Sequence, residues 1–306
     1  MVTKVGVVGL GAMGLPMARR LLQNGFEVAV LPHSNTRPAE ELSEGGARIV
    51  GSGADLAAES QVVITSVPDV PQVQEVLFGR DGLSSGAHEG LLLIDMSTIT
   101  PTAAREHYDR LRELGVQALD APVSGGPARA ADGTLTIMVG GDADTYERGL
   151  PVLQVLGQNI THVGPPGSGQ AVKLVNQLMI SIIMVANAEA LTLGVKAGVP
   201  LSTMLEVIST SSGSNYLMQN WLTKTLFNDD LKSGFALDLL MKDLRAALSW
   251  AGELGLPTFG GSLAQQLYKL ARTDETSRFD YSVVASIYEE AAGVRLRLVD
   301  EHEKDK

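Results

Sequence analysis

A chain of 306 residues, 44% hydrophobic and 19% charged with a mean hydropathy of +0.11, is long enough for one large or two ordinary domains with full cores and is far from the composition of a disordered chain. Its 24 basic and 35 acidic residues leave a formal charge of -11, which repels phosphate backbones and anionic lipid and so argues against nucleic acid or a membrane as partner. With no cysteine there is no disulfide framework, thiolate metal site or thiol nucleophile; no metal is expected, and the expected address is the cytoplasm.

The apolar start of the chain runs from Lys4 to Val8 directly into glycines, which reads as a buried strand rather than a leader peptide. Gly9-Leu10-Gly11-Ala12-Met13-Gly14 follows it and enters a helix pattern that lasts to Gln23. In such a G-x-G-x-x-G turn Gly9 permits the tight bend, Gly11 lets a pyrophosphate approach the backbone and Gly14 lets helix and strand pack closely, while the helix N-terminus offers unpaired N–H groups to an anion. A second strand, Glu27 to Leu31, leads into Pro32-His33-Ser34-Asn35-Thr36-Arg37. An NAD site places a carboxylate here to hold the ribose hydroxyls, and none is present; His33, Ser34, Asn35 and Arg37 instead suit a 2'-phosphate. NADP(H) is therefore favoured, with NAD(H) possible and a merely solvated Arg37 as the alternative.

Further short apolar runs lie at Gln61 to Thr65, Leu91 to Asp95, Val116 to Leu119 and Thr136 to Val139. They are mostly continuous rather than alternating, as in strands covered on both faces of a parallel sheet, and amphipathic stretches separate them. Thr100 is placed as an N-cap with Pro101 at the first helical position. After the third of these strands the chain reads Asp120-Ala121-Pro122-Val123-Ser124-Gly125-Gly126-Pro127. Loops at the carboxyl ends of parallel strands line the ligand crevice, and Ser124, Gly125 and Gly126 expose backbone donors that suit a carboxylate; taken alone, the segment is only a turn.

Beyond Val163 the cluster Gly164-Pro165-Pro166-Gly167-Ser168-Gly169 marks a change, and nothing strand-like follows. A boundary there divides the chain into residues 1–163 and 164–306. From Ser168 to about Lys196 runs one helix pattern of roughly 28 residues, about 42 Å at 1.5 Å per residue; its longest uncharged stretch, Leu174 to Ala188, falls short of the roughly 18 apolar residues of a membrane span and reads as a buried helix. Lys173 and Asn176 emerge on one face of its first turns, where desolvation would favour a neutral amine suited to proton transfer; a lysine snorkelling at a helix start is the bland alternative. Helix patterns continue at Leu201 to Ser209, Tyr216 to Thr225, Phe235 to Leu254, Phe259 to Arg272 and Val283 to Ala292, and Asp300 to Lys306 reads as a solvated tail. Phe235 and the pair Lys242-Asp243 stand out within the third, although an amphipathic core helix with a solvated charged pair explains them equally.

Taken together, these glycines, Asp-Ala-Pro-Val-Ser-Gly-Gly, Gly-x-Gly-x-x-x-Lys-x-x-Asn and the late Lys-Asp resemble the β-hydroxyacid dehydrogenase family, which includes 3-hydroxyisobutyrate dehydrogenases and tartronate semialdehyde reductases. The likeness runs from the opening glycines to about Tyr288. It implies an α/β fold, a doubly wound Rossmann sheet followed by an all-α domain like the C-terminal part of 6-phosphogluconate dehydrogenases. It further implies hydride exchange between NAD(P) and a small 3-hydroxy acid or semialdehyde. Under this resemblance Lys173 is the general acid/base, Ser124, Gly125 and Gly126 hold the substrate carboxylate, and Asn176 orients substrate or lysine with Gln177 beside it. Thr98 falls at the cofactor and substrate junction, Val67-Pro68 lies against the nicotinamide-side ribose, and Phe235, Lys242 and Asp243 close over the nicotinamide.

Imine reductases share the architecture but usually lack the lysine, and decarboxylating 6-phosphogluconate enzymes carry a larger helical part. A cofactor-binding interaction module without catalysis is the alternative from a different class, disfavoured by Lys173, Asn176 and Ser124 together. The hydroxyls and amide of Ser209 to Tyr216 are expected to reach the pocket and suit a polar substrate. The apolar long helix predicts a homodimer or homotetramer.

Overall fold

The computed structural model describes residues 3–232 and 234–298; the charged segment Asp300 to Lys306 lies outside them. The chain separates into two compact units, Met1–Val175 and Asn176–Lys306.

The first unit is a mostly parallel sheet with helices on both faces. In chain order it contains β1 (Lys4–Val8), α1 (Gly14–Gln23), β2 (Glu27–Leu31), α2 (Arg37–Glu44), β3 (Arg48–Ile49), α3 (Gly53–Glu59), β4 (Val62–Thr65) and α4 (Val70–Phe78). It continues with β5 (Leu92–Asp95), α5 (Pro101–Glu113), β6 (Gln117–Asp120), β7 (Val123–Ser124), α6 (Gly126–Asp132), β8 (Leu135–Gly140), α7 (Ala143–Leu156) and β9 (Gly157–Gly164). The sheet order is β3-β2-β1-β4-β5-β6-β8-β7, with β9 paired to β8. Strand order reverses between β1 and β4, the switch point at whose carboxyl ends open α/β sheets bind ligands.

The continuous apolar strands are explained by their surroundings. Val5, Val7, Val62, Ile64, Leu92 and Ile94 pack on one face with Met17 and Leu21 of α1 and Leu153 of α7; Val63, Leu91 and Leu93 pack on the other with Leu56 of α3, Leu77 of α4 and Leu111 of α5. A strand covered on both sides has no solvent face to mark with polar residues. Thr100 caps α5 through Ala103 N, 3.3 Å away, with Pro101 in the first turn, as its residue types predict.

Three strands lie outside the predicted set. β3 and β7 span two residues each, too short for any pattern, and β9 (Gly-Gln-Asn-Ile-Thr-His-Val-Gly) is polar because it pairs with β8 alone and is largely uncovered. The sheet is also not wholly parallel, since β8 runs antiparallel to β6 and β7.

The long helix α8 (Ser168–Lys196) begins after the glycine-proline cluster and carries the chain from the first unit into the second. The second unit adds α9 (Leu201–Ser209), α10 (Leu237–Glu253), α11 (Phe259–Ala271) and α12 (Ala285–Ala292) around a core that includes Met184, Phe227, Leu240, Leu244, Tyr268 and Tyr281. The helix expected over Tyr216 to Thr225 is instead a π turn, Leu217–Trp221, followed by 3-10 turns, because Thr225 leaves helical space (φ -123°, ψ -101°). Helix α10 starts at Leu237 rather than Phe235, because Phe235 N donates to Asp280 Oδ2 (2.9 Å) and Ala236 bridges Asp280 in the extended conformation.

Candidate active site

The glycine turn sits at the switch point, after β1 and beside the loop that follows β4. Gly9 has φ +91°, and a Cβ there would lie 2.1 Å from Ser66 O; a Cβ on Gly14 would lie 1.9 Å from Gly9 O. Both glycines are thus demanded by the fold itself. Gly11 is different: a Cβ on it would meet nothing within 4 Å, and it, Leu10, Ala12 and Met13 remain open to solvent to differing degrees. No side chain caps α1 and no acidic residue occupies its first turn, so its dipole faces this open space uncompensated. The turn therefore fits a dinucleotide pyrophosphate.

At the end of β2, His33, Ser34, Asn35 and Arg37 are all exposed, His33 Nδ1 lies 3.2 Å from Ser34 Oγ, and Asn35 Oδ1 accepts from Arg37 N. The two carboxylates next in sequence both have partners, Glu40 accepting from the Thr36 hydroxyl and Glu41 paired with Arg19.

The loops after β4, β5 and β6 are joined by buried polar side chains. Thr65 donates to Asp95 Oδ1 (2.7 Å), which also accepts from Ser97 N (3.0 Å), while Ser97 Oγ accepts from Val67 N (3.0 Å). Val67 is half-buried and Pro68 exposed; Thr98 is half-buried between the buried Ser97 and Ile99. Asp120 receives Gly167 N on one oxygen (2.7 Å) and Gln170 N on the other (2.9 Å), so a carboxylate at the tip of β6 caps the first turn of α8. Burial pushes the Asp120 carboxyl up to about 6, against the opposing pull of those two N–H donors.

The same turn needs Gly169, whose Cβ would lie 2.3 Å from Met138 O, and Gly167, with φ +86°. One turn further on, Lys173 is buried. Ser124, Gly125 and Gly126 are half-buried where β7 passes into α6; both glycines have positive φ, and a Cβ on Gly126 would meet nothing within 4 Å. The first unit thus gathers the glycine turn, Val67, Thr98, Ser124 to Gly126 and Lys173 on the loops and helix that follow the carboxyl ends of its strands.

In the second unit Asn176 donates to Gln177 Oε1 (3.0 Å), and Gln177 donates to Asp243 Oδ2 (2.7 Å). Gln177 and Asp243 are both buried, so the glutamine amide bridges Asn176 and the carboxylate. Lys242 Nζ lies 2.8 Å from Asp243 Oδ1, an ion pair outside hydrogen-bond geometry. Phe235 is half-buried, edge-on to Tyr281. The hydroxyls of Ser209, Thr210 and Ser211 turn back onto carbonyls of α9, and Asn215 forms a reciprocal amide pair with Asn187; Tyr216 is exposed.

The sequence assigned no role to Asp95, Asp120 or Gln170. Each had a signal, since Asp95 and Asp120 end apolar strand runs and Gln170 lies between glycine and apolar residues where a polar side chain must find partners.

Residues 4–164 match the NAD binding domain of 6-phosphogluconate dehydrogenase, and residues 167–288 match the domain described as NAD-binding of NADP-dependent 3-hydroxyisobutyrate dehydrogenase. The chain is 39% identical to 2-(hydroxymethyl)glutarate dehydrogenase of Eubacterium barkeri, over 95% of this chain and 96% of that one. It is 36% identical to 2-hydroxy-3-oxopropionate reductase of Escherichia coli, over 96% and 99%. Among solved structures, Mycobacterium tuberculosis 3-hydroxyisobutyrate dehydrogenase with L-serine superposes with a TM-score of 0.87 at 33% identity, covering 94% of this chain and 99% of that one.

Proposed function

The chain belongs to the β-hydroxyacid dehydrogenase family of NAD(P)-dependent oxidoreductases, and we propose that it serves hydride exchange between a bound nicotinamide and the alcohol carbon of a small 3-hydroxy acid, with Lys173 exchanging the hydroxyl proton. The observation that carries the reading is Lys173, buried on α8 just beyond Gly167 and Gln170, whose backbone N–H groups donate to Asp120 at the carboxyl end of β6. In the oxidative direction the neutral Lys173 amine accepts the alcohol proton as the carbonyl forms; in reduction the ammonium returns it to the carbonyl oxygen. Ser124, Gly125 and Gly126 hold the substrate carboxylate, which sets the reacting carbon in one place, and this positioning is a large part of the rate. Asn176 orients the substrate, and Gln177 holds Asn176. Val67, Pro68 and Thr98 line the cofactor side.

Assay of a panel of 3-hydroxy acids and semialdehydes, 3-hydroxyisobutyrate and 2-hydroxy-3-oxopropionate among them, with both nicotinamide cofactors tests the substrate class. The test of the lysine is sharpened by the absence of cysteine, because Lys173→Cys creates a single thiol that aminoethylation converts back to a near-lysine. Turnover is expected to fall by about 10³-fold in Lys173→Cys and to recover in large part on aminoethylation. Near-normal turnover of the unmodified variant refutes the assignment.

NADP(H) is the preferred cofactor in this reading, supported by exposed Arg37 and the lack of a carboxylate from Leu31 to Arg37. A cytoplasmic homodimer or homotetramer is part of it as well. Its support is the apolar stripe that α8 exposes, Val172, Val175, Met179, Ile182 and Leu193, Met179 by 56% and Leu193 by 72%. A second copy of the chain would cover that stripe.

A further inference from the structure

The geometry points to Gln170 as a positioning residue that locks Thr98 and Lys173 into one frame. The fully buried Gln170 side chain reaches the backbone on either side of Thr98: its Nε2 donates to Ser97 O (2.8 Å) and its Oε1 accepts from Ile99 N (3.1 Å). A primary amide bonded to a carbonyl and an N–H two residues apart imitates a strand neighbour, and it fixes the backbone of the bracketed residue. Gln170 also stands three residues before Lys173, so the two side chains leave α8 on one face.

The turn that carries both has no freedom of its own. Asp120 holds Gly167 N and Gln170 N, and Gly169 is pressed to the end of β8 closely enough that a Cβ would collide with Met138 O and Asp120 O. Thr98's loop is tied in turn to the loop after β4, through Ser97 Oγ and Val67 N. A displacement at Gln170 therefore shifts the lysine and Thr98 relative to each other, while the cofactor turn after β1 has its own supports.

This role rests on the dehydrogenase reading of Lys173. It is tested in the full-length protein with Gln170→Met, which keeps the volume and loses both bonds, and with Gln170→Glu. A protonated glutamic acid has the shape of glutamine and a donor for Ser97 O; its carboxylate form has only acceptors. For Gln170→Met the expected result is a fall in kcat of about 10²-fold with dinucleotide Kd and KM within about threefold of the unmodified protein. Gln170→Glu is expected to recover kcat, as a ratio to the unmodified protein at each pH, as pH is lowered.

Independently of activity, backbone hydrogen exchange in Gln170→Met is expected to quicken together in the peptides covering 96–100 and 168–176 and nowhere else in the first unit. Turnover of Gln170→Met within threefold of the unmodified protein overturns the inference. So does a flat pH ratio for Gln170→Glu, or exchange that quickens in only one of the two peptides. If the unmodified protein turns over no member of the substrate panel, the dehydrogenase reading falls, and the exchange measurement still decides whether Gln170 couples loop to helix.

Discussion

Two alanine substitutions three residues apart should behave in opposite ways, because one glycine of the opening turn is required by the fold and the other, under the proposed function, by the dinucleotide. At Gly14 an added Cβ would lie 1.9 Å from Gly9 O, and real Cβ contacts do not fall below 3.0 Å, so α1 must move away from the turn by about 1 Å against backbone rather than a pliable side chain. Overpacking of this kind costs about 3 kcal/mol, which for a unit of this size lowers Tm by about 6–12 °C. At Gly11 the Cβ meets nothing within 4 Å and φ is not positive, so Ala is accommodated, and the stiffer unfolded chain adds up to about 1 kcal/mol of stability.

The cost appears only with the dinucleotide, whose pyrophosphate must approach the same backbone; loss of a hydrogen bond to a charged group, about 1.5–3 kcal/mol, raises Kd by about 10- to 100-fold. Thermal unfolding without ligand and a nicotinamide fluorescence titration measure the two halves separately. Dinucleotide affinity unchanged in Gly11→Ala would place the pyrophosphate elsewhere, and a Gly14→Ala protein as stable as the parent would mean that the turn yields.

Acid stability carries signatures of two buried groups. Burial holds the His107 imidazole below its usual 6.5, with the Asp95 charge opposing; the unfolded chain then takes up a proton that the fold resists, and stability from this residue is lost as pH falls through that range. Asp120, pushed up to about 6, has the opposite sign, since the fold keeps its proton to a higher pH than the unfolded chain does and its burial penalty is complete only above about 6. Between about pH 5 and 7, Tm should therefore depend on pH less steeply in His107→Gln and more steeply in Asp120→Asn, and equal slopes in the two would contradict this. Arg37→Ala should raise KM for NADP(H) by about tenfold and leave NAD(H) nearly unchanged; an equal effect on both cofactors removes Arg37 from the 2'-phosphate. Met179→Glu should reduce the solution mass measured by light scattering, and a monomeric parent protein would end the oligomer proposal.

The strands were legible to within a residue or so wherever both faces are covered, because a doubly buried strand such as Val62 to Thr65 has to be apolar throughout. Where burial is one-sided or pairing spans two residues, as in β9, β3 and β7, the amino acids carry little trace of the strand. In the candidate site the glycines and Lys173 stand out by type and spacing. Asp120 and Gln170, which tie the first turn of α8 to β6 and to the loop after β5, do not, since their partners are backbone atoms 47 to 73 residues away that only the fold brings close.

Residue types alone determined the class of fold, the dinucleotide turn and the lysine, since glycine spacing, apolar runs and a cluster of breakers are local requirements written in consecutive positions. Tertiary structure decided which glycine serves the fold and which is left open, where the polar groups of α8's first turn find partners, and that this helix exposes large apolar side chains while burying several polar ones. Those answers depend on which atoms meet across long separations in the chain, and steric exclusion and hydrogen-bond satisfaction act on that meeting, not on the order of residues.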